Sequence, residues 1–254
     1  MSLQLYAPAT KSGIIDLIYS NTGADATKYP LIEVTRDINL AYDRVIDLAI
    51  KSSGKAQFDD TNHTKHPIIY FNLVAGQRDY SAITDEQGNL ILDYYRVMVA
   101  DENGIFYDLE KIDQQSKDYR TMGMVNGQNL TGKPNKYDQT GSGTFLDAIP
   151  DYSYTAGIKG FINREGSHFS VPTINVADTT MPGIDGRLHE YLATRPTAYY
   201  YARKGLSSAK FWQSELLKYE GDEDRGITGI IESVYSKRMK DEPTKIIPIF
   251  RSSR

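Results

Sequence analysis

The chain of 254 residues contains no cysteine, which excludes disulfides, thiolate metal sites and a cysteine nucleophile together. Tryptophan occurs once and histidine four times. No apolar run approaches the ~20 residues that a membrane-crossing helix needs. The opening Met-Ser-Leu-Gln-Leu-Tyr has neither the basic start nor the apolar stretch of a secretory leader, so no signal peptide is expected. A basic excess is missing too. The net charge of −4 provides no overall surface for wrapping nucleic acid or an anionic membrane. With 40% apolar and 24% charged residues the composition is that of an ordered globular protein, as one large domain or two small ones. The expected setting is the cytosol, or a particle assembled there.

The motifs of common chemistries are missing as well. There is no Walker A loop and no G-x-S-x-G elbow. His189-Glu190 is followed by Ala193 where a zincin helix needs its second histidine. Gly141-x-Gly143 lacks a third glycine and a following helix, so it is expected to be a turn and not a phosphate cradle. The acid pairs Asp59/Asp60 and Asp222/Glu223 are adjacent in sequence and do not face each other across a sugar. One cluster has metal-like composition: His63-x-x-His66 beside Asp59 and Asp60. Two imidazoles and a carboxylate can hold zinc if the backbone gathers them; the alternative is a polar loop whose histidines meet solvent. No catalytic residue and no cofactor is expected.

Tyrosine is abundant, with 19 copies against 8 phenylalanines. It carries apolar area with a polar tip, which suits either filler in half-buried strands or wet subunit interfaces. Lys11 to Ser20 holds Ile14, Ile15, Leu17 and Ile18, enough for a short helix stopped by Asn21-Thr-Gly23. From Leu31 to Lys51 the apolar positions Leu31, Val34, Ile38, Ala41, Val45 and Leu48 step by three or four, which predicts a long amphipathic helix. Pro30 is expected at its first position and Gly54 at its left-handed cap. Short β-like runs follow at Ile68–Val74, Asp79–Thr84, Leu90–Asp93, Tyr94–Ala100 and Ile105–Leu109. Asn103-Gly104 before the last of them is a strong hairpin signal. Residues 113–133 read as a long loop with one helical turn near Gln114–Tyr119. In Pro134–Glu165 a turn at Gly141-Ser-Gly143 precedes a strand Thr144–Ile149. The corner Pro150-Asp-Tyr-Ser-Tyr154 then joins it to a second strand ending at Arg164, which reads as a hairpin. Residues 166–183 form an extended connector. Helices follow near Leu188–Tyr199, kinked or broken at Pro196, at Ser207–Tyr219, and at Ile227–Met239, with Glu220–Asp224 as an acidic loop. The expected fold class is therefore α+β: a helical bundle formed by the N- and C-terminal helices, with an inserted antiparallel β domain. The expected units are 1–56, 67–165, 184–240 and an extended tail, 244–254.

Over roughly residues 31–240 this order resembles the head-to-tail adaptor (connector) proteins of tailed bacteriophages. The resemblance is carried by the helix ending Asp43-Arg-Val-Ile-Asp-Leu-Ala, the loop Phe58-Asp-Asp60 and Leu73-Val-Ala-Gly-Gln-Arg-Asp-Tyr80. It continues in Gly88-Asn-Leu-Ile-Leu92, Tyr95-Arg-Val97, Pro134-x-x-Tyr137, Pro150-Asp-Tyr-Ser-Tyr154 and Pro182-Gly-Ile184. It implies a non-enzymatic virion protein at the neck, assembled in the host cytoplasm as a ring, a dodecamer, beneath the portal protein. Such a ring receives the next neck or tail protein and passes DNA without sequence-specific binding or contact with membrane. Interface candidates on this reading are Leu3, Leu5 and Tyr6 of an N-terminal arm, Tyr152 and Tyr154 of the hairpin corner, and Ile246, Ile247, Ile249, Phe250 and Arg251 of the tail. For each terminus the alternative is a disordered end. Two other readings stay open: another tail component such as tube or baseplate, and a tyrosine-rich carbohydrate-binding tail module.

Overall fold

The 3.6-residue period of Val34, Ile38, Ala41, Val45 and Ala49 puts one stripe of a long helix wholly out of solvent, and this helix organises half of the protein. A computed structural model describes residues 3–53, 68–81, 84–85, 88–112, 131–140, 143–222 and 226–238. Helix α1 is Ile14–Thr22 and α2 is Leu31–Ser53. Asp16 caps α1 by accepting from the Gly13 amide at 3.1 Å and the Ala7 amide at 2.7 Å, and Gly23 ends it in the left-handed conformation, φ 64°. Pro30 lies one residue earlier than expected. Its carbonyl accepts from the Val34 amide, so it occupies the N-cap, where its missing N–H costs nothing.

The strands are β1 (Ile68–Leu73), β2 (Asp79–Tyr80), β3 (Ile91–Ala100), β4 (Phe106–Asp108), β5 (Glu110–Lys111), β6 (Lys136–Thr140), β7 (Gly143–Leu146) and β8 (Tyr154–Arg164). They form two four-stranded sheets, β1-β8-β3-β4 and β2-β7-β6-β5. Ile69, Leu73, Val97, Val99, Ile158 and Ile162 of the first meet Tyr80, Tyr137 and Leu146 of the second in one core. The runs Leu90–Asp93 and Tyr94–Ala100 are a single ten-residue strand with irregular pairing at Tyr94/Arg96. Asn103-Gly104 makes the β3–β4 turn, with Gly104 at φ 80°.

Three expectations need correction. The two strands flanking Pro150 do not pair with each other. β7 pairs with β6 across positions 141–142, whereas β8 crosses to the other sheet and lies between β1 and β3. Pro150 and the bend after it break the ladder, and the eleven-residue β8 finds more apolar partners in the longer sheet. The β region is not wholly antiparallel either, since β5 and β6 pair in parallel, Glu110 with Lys136. Nor does Pro196 interrupt its helix. α3 runs through it from Tyr191 to Arg203, and contacts with α1, α2 and α4 on several sides outweigh the ~3 kcal/mol that an interior proline costs.

A 3-10 turn, Gly186–Leu188, leads into α3; α4 (Ala209–Glu220), the short pair β9 (Gly221–Asp222) and β10 (Ile227–Thr228), and α5 (Ile230–Arg238) complete the described chain. Helices α3 and α5 pack on α2, α3 also packs on α1, and α4 lies against α3 and α5. The protein is thus mixed α+β, with five α-helices among the described residues. Tyr29, Tyr42, Tyr94, Tyr137, Tyr191 and Tyr235 are all fully buried, and Tyr70 alone among the described tyrosines is exposed. Tyrosine here mainly fills the interior. Among the described residues no helix is long and apolar enough to cross a membrane.

Candidate interaction surface

The polar groups that come together inside the helical half hold helices to one another. Asp37 on α2, 2% exposed, accepts from the Tyr29 hydroxyl at 2.5 Å and from Arg203 at the end of α3, with Arg36 at 3.6 Å. Burial and the bond to Asp37 raise the Tyr29 pKa, so its hydroxyl stays a donor. Glu220 does not belong to an acidic loop. It closes α4 and binds Arg195 at 2.5 Å, the Tyr191 hydroxyl at 2.7 Å and Arg44 at 3.3 Å. One carboxylate thereby joins α2, α3 and α4.

His189 is buried. Its Nδ1 accepts from the Leu3 amide at 2.9 Å, and Nε2 lies 3.2 Å from the Ile184 carbonyl. The pair of bonds fits only the neutral ring protonated on Nε2, and burial pushes the imidazole pKa down. The segment expected as a free N-terminal arm is tied to its own chain at this point. Leu5 and Tyr6 are buried, and their amides donate to Thr180 and Asp178. Leu3 packs at the edge of the same core. Tyr152 donates to the Ala100 carbonyl at 2.8 Å, and the Tyr154 ring lies over Gly104, so both brace the β3–β4 hairpin. The candidates His63, His66, Asp59, Ile246, Ile247, Ile249, Phe250 and Arg251 lie outside the described residues, as do Gly54, the Gln114–Tyr119 turn and the 244–254 tail. Among the described residues no group of three His, Asp or Glu side chains is placed to hold a metal ion.

The outer face of α2 and the connector form a groove of about 660 Å³. Asn39 fastens the connector like a strand partner: its side-chain amide donates to the Phe169 carbonyl at 3.0 Å, and its carbonyl oxygen accepts from the Phe169 amide at 2.9 Å. Asp43 bonds His168 at 2.7 Å. Gly166 passes so close to the Tyr42 ring that an added Cβ would lie 2.2 Å from it. The groove is lined by the apolar Ile32, Leu40, Phe169 and Val171 and by the polar Glu33, Arg36, Asp43 and His168. Ile32 is 66% and Leu40 49% exposed. A second apolar surface is α4, which buries no residue at all. Trp212 stacks on Tyr201, while Phe211, 58% exposed, projects outward. Exposed apolar side chains grouped in this way mark contact surfaces. Their signal in the sequence is that Ile32 and Leu40 are apolar yet lie off the buried stripe of α2.

No protein-family model matches the chain, and no curated protein matches it in sequence.

Proposed function

We propose that this chain is a structural virion protein, a neck adaptor that assembles as a ring between the portal and the tail of a tailed phage and extends the DNA channel. The observation that carries the reading is the arrangement of the helices. α1 and α2 from the start of the chain and α3 to α5 from its end share one core, with the two sheets between them in sequence. On this reading the helices are a bundle and the sheets an inserted domain, as the ordered motifs of the sequence also suggest. The apolar groove and the unburied α4 supply surface for neighbouring copies. The mildly negative chain suits a channel in which DNA slides without phosphate contacts. A glycan-binding module would need rings lining a groove, whereas the tyrosines here turn inward. Purified chain mixed with portal protein and imaged by negative stain tests the proposal. Rings, of twelve copies on this reading, seated on the portal are the expected result; persistent failure to form rings or to bind portal overturns it.

A further inference from the structure

The two apolar surfaces are built from different elements, the groove from α2 and the connector and the other from α4. Asn39, Tyr42 and Asp43 face the connector, whereas Asp37 and Arg44 face α3 and α4. At about 100° per helical residue those two sets diverge, while Glu33 and Leu40 of the groove lie one turn before Asp37 and Arg44 and share their side of α2. The charges of the two surfaces also differ. The groove side carries Glu33 and Asp43, with Asp47 exposed one turn on; Arg36 and His168 also line it, Asp43 is bonded to His168, and Arg203 lies within electrostatic reach of Glu33. α4 and the turn before it expose Lys204, Lys210 and Lys218, and the one acid before Glu220 in that helix, Glu215, is paired with Lys218 at 2.5 Å. An amphipathic helix laid in an apolar groove is a recurrent mode of protein recognition.

We infer that the groove between α2 and the connector receives helix α4 of a second copy of this chain, Phe211 entering beside Ile32 and Leu40 while Lys210 and Lys218 approach Glu33 and Asp47. The contact is heterologous: every copy offers both a groove and a separate helix, so the same contact repeats until the rotation closes. This assignment rests on the ring-forming reading and goes further by naming the faces that meet.

The absence of cysteine makes the test direct. The full-length chain carrying Leu40→Cys and Phe211→Cys is treated with a short bismaleimide, and each single variant serves as control. The expected product is a ladder of covalent dimers, trimers and higher species from the double variant, with none from either single variant. Dimers from Leu40→Cys alone would show a two-fold contact, and that outcome or no ladder from the pair overturns the assignment. Rings seen by microscopy in a sample without a ladder would leave the neck reading standing, whereas a ladder without portal binding would leave only the contact. Charge reversal gives a second measurement. Lys210→Glu/Lys218→Glu should weaken self-association at least tenfold by sedimentation velocity. Mixing that variant with Glu33→Lys/Asp47→Lys should restore it; mixtures no better than either variant alone overturn the pairing. All six positions are exposed or at the groove, and far-UV circular dichroism with Trp212 fluorescence checks that the variants fold.

Discussion

Replacing Asp37 with alanine should destabilise the helical half by about 2–4 kcal/mol. Asp37 is 2% exposed and holds the Tyr29 hydroxyl and Arg203. Losing it strands the buried hydroxyl, at about 1–3 kcal/mol for an unsatisfied polar group, and leaves Arg203 without its partner. Removing one member of a fully buried pair costs about 3–5 kcal/mol. The Arg203 side chain is 43% exposed, however, so water takes over part of its solvation and the ionic share is smaller. For a chain of this size each kcal/mol moves the melting temperature by roughly 2–4 °C, so the midpoint should fall by roughly 5–15 °C. Trp212 is the only tryptophan and stacks on Tyr201 of α3; its fluorescence therefore reports this half of the molecule. A combined Tyr29→Phe/Asp37→Leu/Arg203→Met variant should recover much of the loss, because no buried polar group is left unpaired. An Asp37→Ala midpoint within 1 °C of the parent protein would refute the reasoning.

Gly160→Val should cost about 2 kcal/mol or more, since a Cβ there would sit 2.8 Å from the Tyr94 ring and 3.0 Å from Ile69; faster hydrogen exchange across β1, β3 and β8 would report it, and unchanged exchange would count against it. The His189 bonds should make stability fall as the pH drops below about 6.5. The folded imidazole pKa is lowered, so the unfolded chain takes the proton first, and the contribution present above the ordinary value is lost on acidification. His189→Gln, which keeps an acceptor for the Leu3 amide and a donor for the Ile184 carbonyl, should flatten this dependence in denaturation measured at pH 7.5, 6 and 5; an unaltered slope would exclude His189 as its source.

Much of the secondary structure was legible in the sequence, because it depends on local chemistry. The α2 stripe, the glycine stop after α1 and the Asn103-Gly104 turn all follow from period or backbone conformation. Pairing was less legible. Pro150 marks a corner, yet nothing local to it says whether the next strand folds back or joins another sheet, and β8 chose Ile69, Val97 and Val99 as neighbours. Pro196 and Glu220 misled for a similar reason: helix packing held the first within α3, and Arg195 drew the second out of its expected loop. At the surface, Leu5 and Tyr6 looked like docking residues because the sequence does not show that the Asp178 segment returns to cover them. Ile32 and Leu40 were visible as apolar residues off the stripe, but only the return of the connector along α2 makes a groove of them.

Because α2 finds its packing partners in α3 and α5, both made after the two sheets, the order of synthesis constrains folding. The sheets can close once β8 emerges, while the apolar stripe of α2 waits for the C-terminal helices. Phe169 and Val171 reach α2 late, and α4 later still, so a nascent chain has neither half of the proposed contact ready for use.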